Sequence, residues 1–371
     1  MIKYPVAEPD IGLEEEKYVL DCLRSNWISS LGKYITDFEN QMAQRFQTQH
    51  AVATSNGTTS LHLALIALNV GDGDEVIIPS LTFAACANAV CYVGAKPVLA
   101  DSNYGDWNMD PSDIEKKITR KTKAIMVVHL YGHPAQMGPI MSLAKKHNLK
   151  VIEDCAEAHG AQYENRPVGS FGDIASFSFY GNKIMTTGEG GMLLLNDSNL
   201  AAKIRLLRDH HMDPLRRYFH TAVGYNYRMT NIQAAIGLAQ LEKLDRFLNK
   251  KREIALQYNQ HLTSLGVFDF MPSQPWAKPV CWLYSVLLSK QFEKKISRDA
   301  FCAALKSAGI DNRPFFIPMH ALPYLPVTRG SFTVATDLSQ RGLNLPSSTK
   351  LTVNDVKEIC NVISDIVNQS N

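Results

Sequence analysis

Ser176-Phe-Ser-Phe-Tyr-Gly-Asn-Lys183-Ile-Met-Thr-Thr-Gly-Glu-Gly-Gly191 is the stretch on which the reading of this chain turns. Alternation of Phe177 and Phe179 with Ser176 and Ser178 predicts a strand with one face in a core. The run breaks at Gly181, presents a single lysine and enters a turn in which Gly188, Gly190 and Gly191 leave room for a flat ligand to approach backbone. A lysine at a strand end is ordinarily a solvated surface group. When desolvation or a neighbouring cation lowers its pKa, its free amine can attack a carbonyl and form a Schiff base. Lys183 is the candidate for that chemistry.

Upstream, the strand-like runs 75–79, 96–100, 123–129 and 150–154 alternate with helices, one running through Cys91 and one over 137–147. Such alternation predicts a largely parallel sheet covered on both faces, with ligands beyond the carboxyl ends of its strands. Asp154, Phe83 and the turn at 56–59 each follow a strand and are expected at one rim. That turn, in Ala51-Val-Ala-Thr-Ser-Asn-Gly-Thr-Thr-Ser60, leads into a helix carrying Leu61, Leu65 and Leu68, whose start offers unpaired N–H groups to a phosphate. The plainer reading is an N-cap by Ser55 or Thr58. Helices are expected over 14–24 and 34–46, with Trp27 between them as a packing residue. Strands near 174–180 and 191–195 close the sheet, and a long helix starts near Thr230.

The remaining chain carries a strand over 281–288 and helices over 298–308 and 353–367, as expected of a smaller α+β domain. At 371 residues the sequence is long enough for two domains, placed at 1–250 and 251–371. Thirty-eight Lys and Arg against 36 Asp and Glu give a net charge of +2, which argues against a dedicated nucleic-acid or membrane-surface protein. Seven scattered cysteines without a Cys-x-x-Cys pair are expected to be reduced thiols, with Cys86 and Cys91 in helix cores. The amino terminus lacks an apolar signal-like region and no stretch approaches the ~18 apolar residues of a span, so a cytoplasmic location is expected. The eleven histidines form no helical i, i+4 metal pair, and no metal site is assigned.

Six segments together carry a resemblance: Trp27-Ile-Ser-Ser-Leu-Gly-Lys-Tyr34, Ser55-Asn-Gly-Thr58, His129-Leu-Tyr-Gly-His-Pro134, Ile152-Glu-Asp-Cys-Ala-Glu-Ala-His159, the 176–191 stretch, and Gly224-Tyr-Asn-Tyr-Arg-Met-Thr-Asn231. Arg313-Pro, Pro318-Met-His320 and Arg341-Gly-Leu-Asn-Leu-Pro346 fit as well. The chain resembles the DegT/DnrJ/EryC1/StrS family of nucleotide-sugar aminotransferases and, within it, the branch that makes GDP-perosamine. The resemblance implies an α/β type I aminotransferase fold, pyridoxal phosphate as cofactor, and a homodimer with shared sites. It implies Lys183 as the Schiff-base lysine, Asp154 at the pyridine nitrogen, Glu157 at the ring oxygen where many members have Gln, and Phe83 stacked on the ring. Gly57, Thr58 and Ser178 would cradle the phosphate, with Asn226 reaching it from the other subunit, while Arg313 and His320 would face the nucleotide-sugar. Tyr180 departs from the Phe expected in near relatives.

A carboxylate can raise the pyridine nitrogen's pKa by ~1–3 units, about 1.4–4 kcal/mol, more than the ~1 kcal/mol Asp154 would supply as a helix cap. The implied reaction moves an amino group from glutamate to C4 of a GDP-4-keto-6-deoxy sugar, in O-antigen lipopolysaccharide synthesis. The alternatives are a dTDP- or UDP-linked keto sugar, and a regulatory protein that binds pyridoxal phosphate without turnover. A dehydratase of the family would carry histidine at position 183 in place of lysine.

Overall fold

The computed structural model describes residues 1–325 and 330–370. Its largest sheet has seven strands in the order His50–Thr54, Gly191–Leu195, Ile174–Ser178, Lys150–Asp154, Thr122–Val128, Glu75–Pro79, Lys96–Ala100. The last five are mutually parallel, and the first two pair antiparallel. Successive side chains along these strands sort alternately into two separate cores. Val76, Ile78, Ala124, Met126, Val128 and Ile152 belong to one cluster, whereas Ile77, Ile125, Val127 and Val151 belong to another. A sheet whose two faces feed two cores is covered on both sides, as the alternation of strand and helix requires.

The Ile174–Ser178 strand differs from its expected form. All five of its residues are buried, so neither face meets water. Phe177 packs on Phe46 at 4.6 Å between ring centroids and Phe179 on Phe38 at 5.1 Å. On the other face, the Ser176 hydroxyl lies 3.4 Å from the Gly57 carbonyl. The alternation therefore separates an aromatic face from a small polar one, both enclosed by helices.

A second sheet of four strands, in the order Phe268–Phe270, Tyr284–Leu288, Gly342–Leu345, Arg313–Pro314, is antiparallel throughout and has its own core with the Leu244–Leu262, Arg298–Ser307 and Val353–Gln369 helices. The amino-terminal residues join this core: Tyr4 pairs with Ile310, and Ser347 N–H donates to the Val6 carbonyl at 2.8 Å. Among the described residues no helix is long and apolar enough to cross a membrane. Two packing expectations fail. Trp27 is 55% exposed, because its segment lies outside the core beside the Lys33–Arg45 helix, and Cys91 is exposed because the last turn of the Ala85–Tyr92 helix emerges from the core that holds Cys86.

Beside the rim, Glu153 fastens the loop at 169–172 to the sheet. Its carboxylate accepts the N–H groups of Gly169 (2.8 Å), Phe171 (2.7 Å) and Gly172 (2.7 Å), and His129 Nε2 stands 3.2 Å away. Ala135 N–H donates to His129 Nδ1 at 3.0 Å, so the ring proton sits on Nε2 and points at the carboxylate. Burial alone would push the Glu153 pKa up, but His129 and the Gly172 and Gly169 N–H groups outweigh it and hold it below 4.5. Cys155 completes a trio whose ligand atoms lie within 4.8 Å of one another. The acceptor positions of Glu153 and the proton on His129 are already committed, which makes the trio a hydrogen-bonded node. Glu153→Ala would leave the three N–H groups without an acceptor and should lower stability by about 3–5 kcal/mol. Urea unfolding should show a lower midpoint at unchanged slope, and a loss below about 1 kcal/mol would contradict this account.

Candidate active site

Beyond the carboxyl ends of the strands lies a cavity of about 730 Å³ whose lining includes Gly57, Thr58, Phe83, Asp154, Glu157, Ser178, Lys183 and Arg313. Residues spread over more than 250 positions of sequence meet there. Two expected members are elsewhere. Asn226 is exposed on a strip that bridges Asp209 and is not part of the lining. His320 has its two ring nitrogens at Ser80 Oγ (2.7 Å) and Thr336 Oγ1 (3.2 Å) and stacks on Phe332, holding its own segment to the end of the Glu75–Pro79 strand.

One wall is the start of the Gly57–Ala67 helix. Its cap is Asn56, whose side chain accepts Thr59 N–H at 2.9 Å while Thr59 Oγ1 accepts Asn56 N–H at 3.2 Å, so neither Ser55 nor Thr58 is the cap. Asn56 takes the Thr59 and Ser60 N–H groups, which leaves those of Gly57 and Thr58 to face outward with the positive end of the helix dipole. Gly57 has to be glycine: a Cβ there would sit 2.8 Å from Ser178 Cβ. On the other side of the contact, a Cβ at Gly191 would lie 2.4 Å from the Asn56 carbonyl oxygen. These two bare positions let the helix start come down on the strand end.

The floor carries the acids. Asp154 ends its strand, and no helix follows for it to cap. Its Oδ1 accepts Ala156 N–H at 3.0 Å, and its Oδ2 accepts the Cys86 thiol at 3.2 Å. Glu157 is fully enclosed, and its Oε2 accepts Tyr131 N–H at 2.7 Å. Burial raises its pKa to about 7, with Lys183 and the Tyr131 N–H opposing and Asp154 adding to the rise. Near neutrality Glu157 can therefore offer a proton as well as accept one.

Lys183 stands opposite. After Ser178 the chain closes a loop: Phe179 N–H donates to the Gly190 carbonyl at 2.8 Å, and Thr187 N–H returns to the Phe179 carbonyl at 2.9 Å. Lys183 N–H donates to the Tyr180 carbonyl at 2.9 Å within it, and the side chain enters the cavity. Burial lowers its pKa, against the raising effect of the Glu157 and Asp154 carboxylates. A larger share of free amine follows, as a nucleophilic lysine needs. Phe83, 59% exposed, flanks the cavity with Phe316, their ring centroids 5.8 Å apart. Trp282, Tyr92 and Phe316 also line it and were not singled out from the sequence, where each reads as an ordinary apolar residue.

The Glu157 carboxyl supplies a test of this electrostatic account. Its raised pKa means that the folded protein binds more protons than the unfolded chain between pH 4.5 and about 7. Stability from this group is fully present below pH 4.5 and is lost as pH rises through 7. Glu157→Gln, whose amide oxygen can still accept Tyr131 N–H, should match wild type near pH 4.5 and exceed it at pH 8 by at most about 3 kcal/mol. Denaturant midpoints of the two proteins at both pH values measure this, and a gap that does not widen with pH would refute it.

The sequence model of the DegT/DnrJ/EryC1/StrS aminotransferase family matches residues 9–364. The chain is 47% identical over 364 residues to the GDP-perosamine synthase of Caulobacter vibrioides, covering 98% of each chain. It is 47% identical over 368 residues to that of Escherichia coli O157:H7, covering 98% of this chain and 99% of the relative. Among solved structures, the aminotransferase TlmJ from Streptoalloteichus hindustanus superposes with a TM-score of 0.94 at 28% identity, over 99% of this chain and 100% of that one. The pyridoxal phosphate form of the putative sugar aminotransferase Spr1654 from Streptococcus pneumoniae gives 0.93 at 26% identity, over 99% of both. With sequence and fold matched over nearly its whole length, the chain belongs to the DegT/DnrJ/EryC1/StrS aminotransferase family.

Proposed function

We propose that the protein is a pyridoxal phosphate-dependent aminotransferase that moves an amino group from glutamate to C4 of a GDP-4-keto-6-deoxy sugar, forming GDP-perosamine. The observation that carries this is one cavity holding a half-buried lysine, two carboxyls and a helix start, in a chain 47% identical to GDP-perosamine synthases. The residues present suit the cofactor. Gly57 and Thr58 N–H groups with Ser178 Oγ form a phosphate cradle that any Cβ at position 57 would fill. Asp154 would hold the pyridine nitrogen, Glu157 the ring oxygen and Phe83 the ring face. Pyridoxal phosphate, when bound, supplies an aldehyde carbon for amines and a ring that accepts electrons from the carbon being deprotonated.

Lys183 Nζ would hold the cofactor. As a free amine it would take the proton from the donor's α-carbon and, in the second half-reaction, deliver one to C4 of the sugar. Asp154, fixed by Ala156 N–H and the Cys86 thiol, presents its carboxyl at the floor. Arg313, exposed on the cavity lining, pairs with the sugar diphosphate, and His320 acts through the segment it anchors. Residues 1–250 and 251–371 are the large and small domains of this reading. It places the protein in the cytoplasm, in O-antigen synthesis.

The working unit is a homodimer. Leu13, Leu23, Trp27 and Leu31 near the amino terminus, with Leu215 and Val223 in the loop before Asn226, leave apolar surface that a second copy would cover. Asn226 would then reach the partner's cofactor phosphate.

Borohydride reduction should fix the cofactor on Lys183, and Lys183→Ala should lose transamination altogether. Label on another lysine would sink the assignment. Assayed with glutamate against GDP-, dTDP- and UDP-4-keto-6-deoxy sugars, wild type should turn over the GDP substrate fastest. Faster turnover of another nucleotide would move the substrate assignment, and none with any would leave a binding protein. Mixed dimers of Lys183→Ala and Asn226→Asp subunits should regain up to about half of wild-type activity, because one site then holds both intact residues. Heterodimers that stay inactive while both variants fold and dimerise would show that Asn226 serves its own subunit.

A further inference from the structure

Trp282 comes from the turn that leads into the Tyr284–Leu288 strand, about a hundred residues beyond Lys183, and is 3% exposed. Three contacts fix it. Its N–H donates to the Tyr131 carbonyl at 3.2 Å, its carbonyl accepts the Lys251 ammonium at 2.8 Å, and its ring lies nearly parallel to Tyr131, 19° between planes. Lys251 is itself buried and also donates to the Ser347 carbonyl at 2.5 Å, so it ties the Trp282 turn to the end of the second sheet. What this framework presents to the cavity is an indole. Lys183 Nζ stands 4.1 Å from the centre of its ring, and the indole N–H donates to the Asn182 carbonyl at 2.7 Å.

We infer that Trp282 is a positioning residue for Lys183: its ring face holds the ammonium, and its indole N–H tethers the peptide immediately before it. The physical basis is the attraction of a cation to an aromatic face, strongest for Trp and largest where water is excluded. A lysine side chain has four rotatable bonds, and holding its head over one ring removes most of that freedom. The tether acts on the backbone beside it, within a loop already closed at 179 and 190. Together they keep Nζ over the ring, where the Glu157 and Asp154 carboxyls act on its charge. The ring also has a chemical consequence. It favours the ammonium and so counters the desolvation that favours the free amine, which sets how readily Lys183 gives up and regains a proton. The functional consequence rests on the role proposed for Lys183, whereas the contact itself does not.

Competitive acetylation of the cofactor-free protein across pH, read by mass spectrometry on the Lys183 peptide, gives the apparent pKa of that amine with no turnover involved. The charged and titratable groups facing Lys183 are Glu157, Asp154, Cys86, Arg313 and His159, and all are retained in the variants. In Trp282→Leu the Lys183 pKa should fall by about half a unit to one unit, a three- to tenfold loss of ammonium relative to amine, and Trp282→Phe should fall by less. Leucine that served only as filler, or that admitted water, would leave the pKa unchanged or raise it, and either result overturns the inference. Should Trp282→Leu fail to fold, wild type grown on mono-, di- and trifluorinated tryptophans keeps shape and N–H while draining the ring of electron density. The Lys183 pKa should then fall with each added fluorine, and a flat series overturns the inference. Borohydride trapping on Lys183 is independent of both series, so failure of the Trp282 role and failure of the Lys183 role give different results.

Discussion

The close approach of the Gly57–Ala67 helix to the end of the Ile174–Ser178 strand is the constraint on which the site depends. Helix and strand meet where a single methyl group at 57 or at 191 would strike Ser178 or the Asn56 carbonyl. Bringing them together does two things at once. It aims the free N–H groups of a helix start at the space above the strand, and it sets that space beside the loop carrying Lys183. Because both faces of the strand are already enclosed, the chain has nowhere to go after Phe179 except out over this rim.

Electrostatics in the cavity are a balance between removing water and supplying partners. Lys183 and Glu157 are both driven by burial toward their neutral forms, one downward in pKa and the other upward, and each opposes the other's shift. Glu153, one residue from Asp154, shows the opposite result: burial is just as complete, but His129 and three backbone N–H groups keep it charged. Neighbouring carboxyls on one strand thus serve different ends. Glu153 builds the rim, and Asp154 faces the cavity.

Much of this was legible in the sequence because it depends on local periodicity. The strands at 75–79, 96–100 and 150–154 and the turn at Lys183 follow from alternation and glycine placement, and Asp154 and the turn at 56–59 follow from their positions after strands, whereas Glu157 entered only through the family resemblance. The full burial of Ile174–Ser178 was not legible, since a strand enclosed on its polar face is enclosed by serines, which read as solvent-facing. Asn56 was passed over as cap in favour of its hydroxyl-bearing neighbours, and only the reciprocal bond with Thr59 decides between them. Trp282 and His320 were harder still. The tryptophan meets Asn182 across 100 residues and the histidine meets Ser80 across 240, and no local pattern encodes a partner that far away.

The seating of the amino terminus sets an order on biosynthesis. Tyr4 is buried against residues that include Ile310, Ile359 and Ile363, its hydroxyl donates to Glu358 at 2.6 Å, and Lys3 bonds the same carboxylate. Lys3 and Tyr4 are synthesised long before the Val353–Gln369 helix, so they wait without these partners while the seven-stranded sheet can already assemble. Closure of the second core therefore needs both segments, and it couples them: a substitution at Tyr4 acts on the Val353–Gln369 helix, some 350 residues away along the chain but adjacent in space.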